Sequence, residues 1–188
     1  MKRRTFDLLL SVTGFVLAAI LLAAGGLLTW GANFATNTVH DQLVAQQISF
    51  GPAASFADDC LKPIASYAGQ TVDNANAAKA YSDMIKCHME TAFAGMGLPK
   101  DSTYSSLSTA ARASDPASTE GKTLAAGVDL AFKGESLRSI LLTAYAFGTI
   151  GAVASVASIV AYVVGAFMLI LAILGIGHAR KASPDATL

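Results

Sequence analysis

Two long stretches without charged side chains constrain the fold of this chain more than any other feature. The first runs from Leu8 to Val39 and the second from Ser139 to Gly177. A helix over Leu8–Leu28 would be about 31 Å long, which matches the hydrocarbon core of a bilayer. Hydrophobic residues make up 53% of the chain and charged residues only 14%. The sequence therefore predicts an all-α membrane protein.

The first stretch follows Lys2, Arg3 and Arg4, a basic start that it shares with secretory signal peptides. Its apolar run is longer than the about 7–15 residues of a signal-peptide core. No convincing A-x-A cleavage site follows it, and no cysteine is placed for lipidation. We predict an uncleaved transmembrane helix at residues 8–30, with Trp30 at the membrane interface.

The second stretch is 39 residues long, so as one helix it would extend about 58 Å, nearly twice a bilayer. It is either a hairpin of two short spans or one helix that continues outside the membrane. Basic residues lie in both terminal tails, and basic residues favour the cytoplasmic side of a membrane. Both termini are then cytoplasmic, so the number of spans is even. We therefore predict cytoplasmic tails at 1–7 and 178–188, a second span at 154–177 and an extracytoplasmic extension at 139–153.

Residues 31–138 are then an extracytoplasmic domain outside the cytoplasmic (inner) membrane, with 8 Lys and Arg against 11 Asp and Glu. Apolar residues at spacings of three and four predict helices rather than strands. Val39–Gln47 continues the first helix. Further helices are expected at about 77–93, 103–113 and 117–132. The first of these has Thr71 or Asp73 as its cap and His88 on its apolar face. Gly134 ends the last of them, and Glu135 lies in the first turn of the next helix.

The two cysteines, Cys60 and Cys87, both lie in the predicted extracytoplasmic domain. A metal or redox pair is the alternative, but there is no C-x-x-C and no histidine cluster at metal-ligand spacing. We predict a disulfide, because that compartment is oxidising.

Catalytic and transport signatures are missing from this sequence. No G-x-S-x-G, P-loop or H-E-x-x-H pattern occurs, and the predicted spans hold none of the buried ionisable groups that ion pathways use. The histidines His40, His88 and His178 lie in different segments, and an acid–base pairing of Asp58 or Asp59 with Glu90 would need a proximity that the sequence does not supply.

We expect a non-enzyme without cofactor or metal. The short tails and the zero formal net charge predict no nucleotide or nucleic-acid partner.

Small residues recur in register on both predicted spans. They are Ser11, Gly14, Ala18 and Gly25 on the first, and Ala154, Ser158, Ala161 and Gly165 on the second. Such faces let helix backbones approach closely in lipid. Either the two spans pack on each other, or one face binds a transmembrane helix of a partner.

Four stretches between the spans carry a recognisable pattern: Asp41-Gln42-Leu43 with Gln46, Ile48, Phe50 and Pro52; Tyr67-Ala68-Gly69-Gln70 with Val72; Ala80-Tyr81 with His88; and Gly134-Glu135-Ser136-Leu137-Arg138 with Ile140, Leu141, Leu142, Ala144 and Tyr145. From about Leu8 to Gly177 the chain resembles a group of small actinobacterial membrane proteins. The resemblance implies two spans and no established activity. Some members carry the label aromatic ring-opening dioxygenase, which no two-histidine-one-carboxylate pattern supports in this sequence.

The sequence favours a non-catalytic accessory or assembly subunit of a larger cell-envelope complex, of respiratory or lipid-transport type. Its partner would be an integral membrane protein. We expect Leu141, Leu142, Tyr145 and Phe147 to be covered by the domain or by another protein. The alternative is a binding module for a lipid or another apolar ligand, enclosed by helices around Tyr81, Ile85, Phe93, Leu124, Phe132, Leu141 and Tyr145.

Overall fold

The computed structural model describes residues 3–181, and its regular secondary structure is helical. The α-helices are α1 (Arg3–Ala45), α2 (Ala75–Gly95), α3 (Tyr104–Ala113) and α4 (Thr119–Lys181), with short 3-10 helices at Ala53–Phe56 and Lys62–Tyr67. Within residues 3–181 no strand forms, and the one isolated bridge pairs Ser49 with Thr71. The prediction of an all-α chain is confirmed for this part of the sequence.

The chain divides into two compact units. The helix-pair unit combines Met1–Ala35 with Ile150–Leu188, and the domain unit is Thr36–Thr149. Helices α1 and α4 each contribute to both units. Of the predicted tails, Met1, Lys2 and residues 182–188 lie outside the described residues.

In the helix-pair unit, α1 and α4 are long and apolar enough to cross a membrane. Only 22% of the most apolar window of α1 and 17% of that of α4 are buried. A core helix of a soluble protein would be mostly covered, so the exposed apolar side chains indicate a membrane protein. The stretch 139–177 lies within one uninterrupted helix. Of the two alternatives, the structure therefore has the single helix and not the hairpin of two short spans.

The helices α2 and α3 begin at side-chain caps. Asn74, not Thr71 or Asp73, caps α2, because its Oδ1 accepts a hydrogen bond from the Ala77 amide at 3.0 Å. Gly97 follows the end of α2 with a positive φ of 75°, a conformation that glycine adopts without steric cost. Thr103 forms a capping box with Ser106 at the start of α3, and this helix matches the prediction at 103–113.

The predicted helix break at Gly134 is wrong, because α4 continues through this residue from Thr119 to Lys181. Gly134 is buried, and a Cβ at this position would overlap Met89 Sδ. The glycine therefore permits close approach between α2 and α4 instead of ending a helix. Glu135 is consequently not in a first turn. Its Oε1 accepts a hydrogen bond from the Tyr104 amide at the start of α3, at 3.0 Å.

Two apolar clusters form the core of the domain unit. The first centres on Phe50, whose ring stacks on Tyr67 with centroids 5.3 Å apart and meets Tyr81 edge-on at 5.2 Å. It also contains Val39, Leu43, Phe56, Leu61, Ile64, Val72, Ala77, Ala78, Ala80, Cys87 and Leu141. The second joins α2, α3 and α4 through Met89, Phe93, Leu107, Leu124 and Ala131.

The disulfide lies at the edge of the first cluster. Cys60 and Cys87 are bonded through their Sγ atoms, with their Cα atoms 5.9 Å apart, which is within the usual range for disulfides. The bond attaches the segment between the two 3-10 helices to α2. By contrast, the expectation that His88 lies on the apolar face of α2 is wrong, because its side chain is exposed while its neighbours Cys87 and Met89 are buried.

Candidate interaction surfaces

Small residues lie in the contact between α1 and α4 of the helix-pair unit. A Cβ on Gly14 would be 3.2 Å from Ala172 Cβ, and one on Gly165 would be 3.2 Å from the Leu22 side chain. The predicted faces are buried except for Ala154, which is half-buried: Ser11, Gly14, Ala18 and Gly25 on α1, and Ser158, Ala161 and Gly165 on α4. Because this contact uses both small-residue faces, a partner helix would have to bind the pair elsewhere.

Replacing Gly14 by leucine is expected to destabilise the helix pair by about 1–3 kcal/mol, the usual cost of overpacking. The neighbours of Gly14 are the Cβ and backbone of Ala172 and the carbonyl of Met168, which cannot move aside as a flexible side chain would. The control is Gly31→Leu, since no atom lies within 4 Å of a Cβ on Gly31. The stability of both variants is measured by thermal aggregation of the full chain in mild detergent. An equal loss of stability in the two variants would contradict the contact between α1 and α4 at Gly14.

A polar pair joins the ends of α1 and α4 in the helix-pair unit. His178 Nδ1 lies 3.0 Å from Asp7 Oδ2, and the Asp7 side chain is only 17% exposed. Sequence reasoning missed this pair. A signal was available, because Asp7 is the last charge before the first apolar stretch and His178 follows the second. Antiparallel packing of the two helices brings these two positions together.

Helix α4 carries an exposed apolar surface within the domain unit. We call it the outer surface of α4: Leu137 is 55% exposed, Ile140 68%, Leu142 39% and Phe147 56%. The domain therefore does not cover Leu142 and Phe147, and for these two residues cover by another protein stays a prediction. Leu141 is buried and Tyr145 is half-buried. Helical geometry explains the split, because residues 141 and 145 lie one turn apart on the face that packs inward.

Beside Leu142 the outer surface forms an open groove of about 420 Å³, lined by Glu135, Arg138, Ser139, Leu142, Thr143 and Ala146. Arg138 is held in place because its Nε donates a hydrogen bond to the Ser82 carbonyl oxygen at 3.2 Å. With Glu135 bonded to Tyr104, the groove has two fixed polar groups, and the rest of its lining mixes the hydroxyl groups of Ser139 and Thr143 with the apolar side chains of Leu142 and Ala146. This arrangement suits a peptide or helix surface of mixed polarity.

The side chains that would enclose an apolar ligand are mostly used in the protein core. Phe93, Leu124 and Leu141 belong to the two clusters, and Tyr81 and Ile85 pack against them. Phe132 instead lies at the surface, 60% exposed. None of these side chains lines the groove beside Leu142.

Ser82 is fully buried on α2, and its hydroxyl has no hydrogen-bond partner within residues 3–181. Replacing Ser82 by alanine is therefore expected to stabilise the domain unit by about 1 kcal/mol, because a buried unpaired hydroxyl is removed. Ser105→Ala on α3 is the control, since Ser105 is exposed and the same hydroxyl group is removed. Urea unfolding of the full chain in detergent compares them. A loss of stability in Ser82→Ala would show that the hydroxyl is satisfied.

Polar residues considered for catalysis have local partners. Asp59 pairs with Lys62, Glu90 with Lys86, and His40 Nδ1 lies 2.9 Å from the Asp73 carbonyl oxygen. The hydrogen bond that Lys79 donates to Asp83 raises the pKa of Lys79, on the exposed side of α2. Within residues 3–181 no three His, Cys, Asp or Glu side chains are grouped as a metal site would need.

No protein family, curated protein or solved structure matches the chain.

Proposed function

We propose that the chain is a non-catalytic accessory or assembly subunit of a larger membrane-protein complex in the cell envelope, of respiratory or lipid-transport type. The observation that carries this proposal is the outer surface of α4, where Leu137, Ile140, Leu142 and Phe147 are exposed on different sides of the helix within the domain unit. Large apolar side chains exposed outside a membrane-spanning segment are candidates for a protein–protein contact. Burial of apolar area releases about 25 cal/mol per Å², so an integral membrane protein that covers this surface would gain binding free energy from it.

The proposed topology places both termini in the cytoplasm and the domain at 31–138 outside, with 139–153 as an extension of the second helix. The disulfide between Cys60 and Cys87 supports this side for the domain, because such bonds persist in oxidising compartments. The resemblance to two-span actinobacterial proteins agrees with it.

The topology is tested by adding one cysteine to the chain with its native disulfide intact. We expect an impermeant maleimide to label Ser118→Cys on intact cells and to leave Thr5→Cys and Ala182→Cys unlabelled until the cells are opened. Labelling of either tail position from outside would overturn the two-span arrangement.

The groove beside Leu142 is proposed as the place where the larger complex binds. It combines apolar side chains with an anchored Arg138, a mixture found at the centre and rim of protein interfaces. The alternative, a binding module for a lipid, has less support because the side chains that would enclose the ligand pack in the core.

The test is the substitution Leu142→Arg in the tagged full chain, purified from its own membranes in mild detergent. We expect partner proteins to be lost from this variant, because a charge in the groove would have to be buried unpaired. Met96→Arg is the matched control, since Met96 is 38% exposed and Leu142 39%. Retention of the same partners by both variants would contradict the proposed site.

A further inference from the structure

One end of the helix-pair unit carries a cluster of positive charge. Helix α1 begins at Arg3 and α4 ends at Lys181, and the contact between Asp7 and His178 at 3.0 Å joins these two helix ends. The basic cluster consists of four exposed side chains, Arg3, Arg4, Arg180 and Lys181. Asp7 is the one carboxylate of this end within residues 3–181, and its side chain is only 17% exposed. The end of the pair therefore presents positive charge drawn from both helices.

A groove of about 250 Å³ begins at Asp7 and lies between α1 and α4. We call it the inter-helix groove. Its small lining residues are buried or half-buried and form the floor: Ser11, Gly14, Ala172 and Gly175. Its large apolar lining residues are exposed or half-buried and form the sides: Leu10, Leu17, Met168 and Leu171. The Ser11 hydroxyl donates to the Asp7 carbonyl oxygen at 2.7 Å, so the floor offers no unpaired donor. The groove suits an apolar chain.

The length of the inter-helix groove matches one leaflet of a bilayer. From Asp7 to Leu17 helix α1 rises about 15 Å, which is half of the about 30 Å hydrocarbon thickness of a bilayer. The basic cluster lies beyond the Asp7 end, where the headgroups of that leaflet would be. Charge at one end and an apolar channel of leaflet length are the two parts of a phospholipid site.

We infer that this end of the helix pair binds one phospholipid with an anionic headgroup. The phosphate lies against the basic cluster, and one acyl chain lies in the inter-helix groove. Basic pockets between transmembrane helices bind the headgroups of anionic lipids, and arginine holds phosphate oxygens through paired hydrogen bonds. The inference requires that the helix pair spans a membrane, and it does not depend on the proposed subunit role.

Charge selects the anionic class of headgroup. Four Lys and Arg side chains against the single carboxylate of Asp7 leave an excess of three positive charges at this end. Lys2 and Asp185 lie outside the described residues, and their opposite charges leave that excess unchanged. A zwitterionic headgroup carries a cation of its own, which the excess repels, whereas an anionic headgroup carries none.

Native mass spectrometry of the full chain in detergent tests the headgroup, with phosphatidylglycerol and phosphatidylcholine of identical acyl chains as the probes. We expect phosphatidylglycerol to bind several-fold more tightly. Arg4→Gln with Lys181→Gln is expected to abolish this preference. The control, Lys100→Gln with Lys122→Gln, removes two exposed cations from the domain unit and should leave the preference unchanged.

Thr13→Trp tests the inter-helix groove, because Thr13 is an exposed residue of its lining. The indole would occupy space that the acyl chain needs, so we expect the affinity for phosphatidylglycerol to fall several-fold. Val12→Trp is the control, since Val12 is 50% exposed on the same helix and does not line the groove. Circular dichroism checks that each variant keeps its helices.

The opposite results would overturn the inference. Equal binding of the two lipids by the unaltered chain would exclude selection by charge, without the need for any variant. Equal losses in the two lysine and arginine variants would show that net charge acts and not a site. Inorganic phosphate at millimolar concentration should not displace phosphatidylglycerol, and displacement would mean that the cluster binds phosphate without the acyl chain.

Discussion

Replacing Phe93 by alanine is expected to lower the free energy of unfolding of the domain unit by about 3–5 kcal/mol. The ring is 1% exposed and lies in the cluster that joins α2 to Leu107 of α3 and Leu124 of α4. Its removal leaves a cavity that three helices would have to close together. Local collapse can recover only part of that loss.

Phe132→Ala is the matched control for this prediction. Phe132 is 60% exposed and its main aromatic neighbour is Tyr104, with centroids 5.9 Å apart, so we expect a loss below about 1 kcal/mol. Urea unfolding of the full chain in detergent, with hydrogen exchange read at Ala75–Gly95, gives both values. Equal losses in the two variants would mean that Phe93 is not in the core.

Removal of the disulfide by Cys60→Ser with Cys87→Ser is expected to cost about 2–5 kcal/mol. The bond spans a sequence separation of 27, and the loop that it closes supplies Ile64, Val72 and Ala77 to the first cluster. Without the bond the unfolded chain gains freedom, and these side chains are held by packing alone. We expect the domain unit to unfold at a clearly lower temperature.

A reductant provides the control for the disulfide prediction. It should lower the unfolding temperature of the natural chain towards that of the double-serine variant and leave the variant itself unchanged. A natural chain that is insensitive to complete reduction, verified by thiol counting, would show that the bond adds no stability.

Much of the helical architecture could be predicted from local signals. The charge-free stretches predicted the two long helices, and the helix predicted at 103–113 corresponds to α3, which ends at Ala113. The cysteines could be paired because only two exist and both fall between the apolar stretches. Each of these signals is local to one segment or follows from composition, so no knowledge of the packing was needed.

The parts that were mispredicted depend on contacts between helices. Gly134 has the appearance of a helix breaker, and only the Met89 side chain beside it explains a glycine in the middle of α4. The buried face of α2 is set by α4 on one side and by the 3-10 segments on the other, so it includes Ala78, Ser82 and Cys87 and leaves His88 exposed. Three-and-four spacing alone cannot choose among such overlapping faces.

The sequence predicted which segment of α4 carries the candidate surface, but not which side chains of that segment are exposed. The apolar run through Leu141, Leu142, Tyr145 and Phe147 is evident in the sequence, and the inward packing of Leu141 follows from its contact with the first cluster. Which side chains remain outside depends on where α2 lies against α4. The proposed groove therefore became visible only with the fold.

The measurement that tests the central claim most directly is the mass and composition of the tagged, unaltered chain, extracted from its native membranes in mild detergent. An accessory subunit predicts a discrete complex in which other integral membrane proteins are present in fixed stoichiometry with this chain. A chain that emerges without other proteins, with or without a bound lipid, would contradict the account.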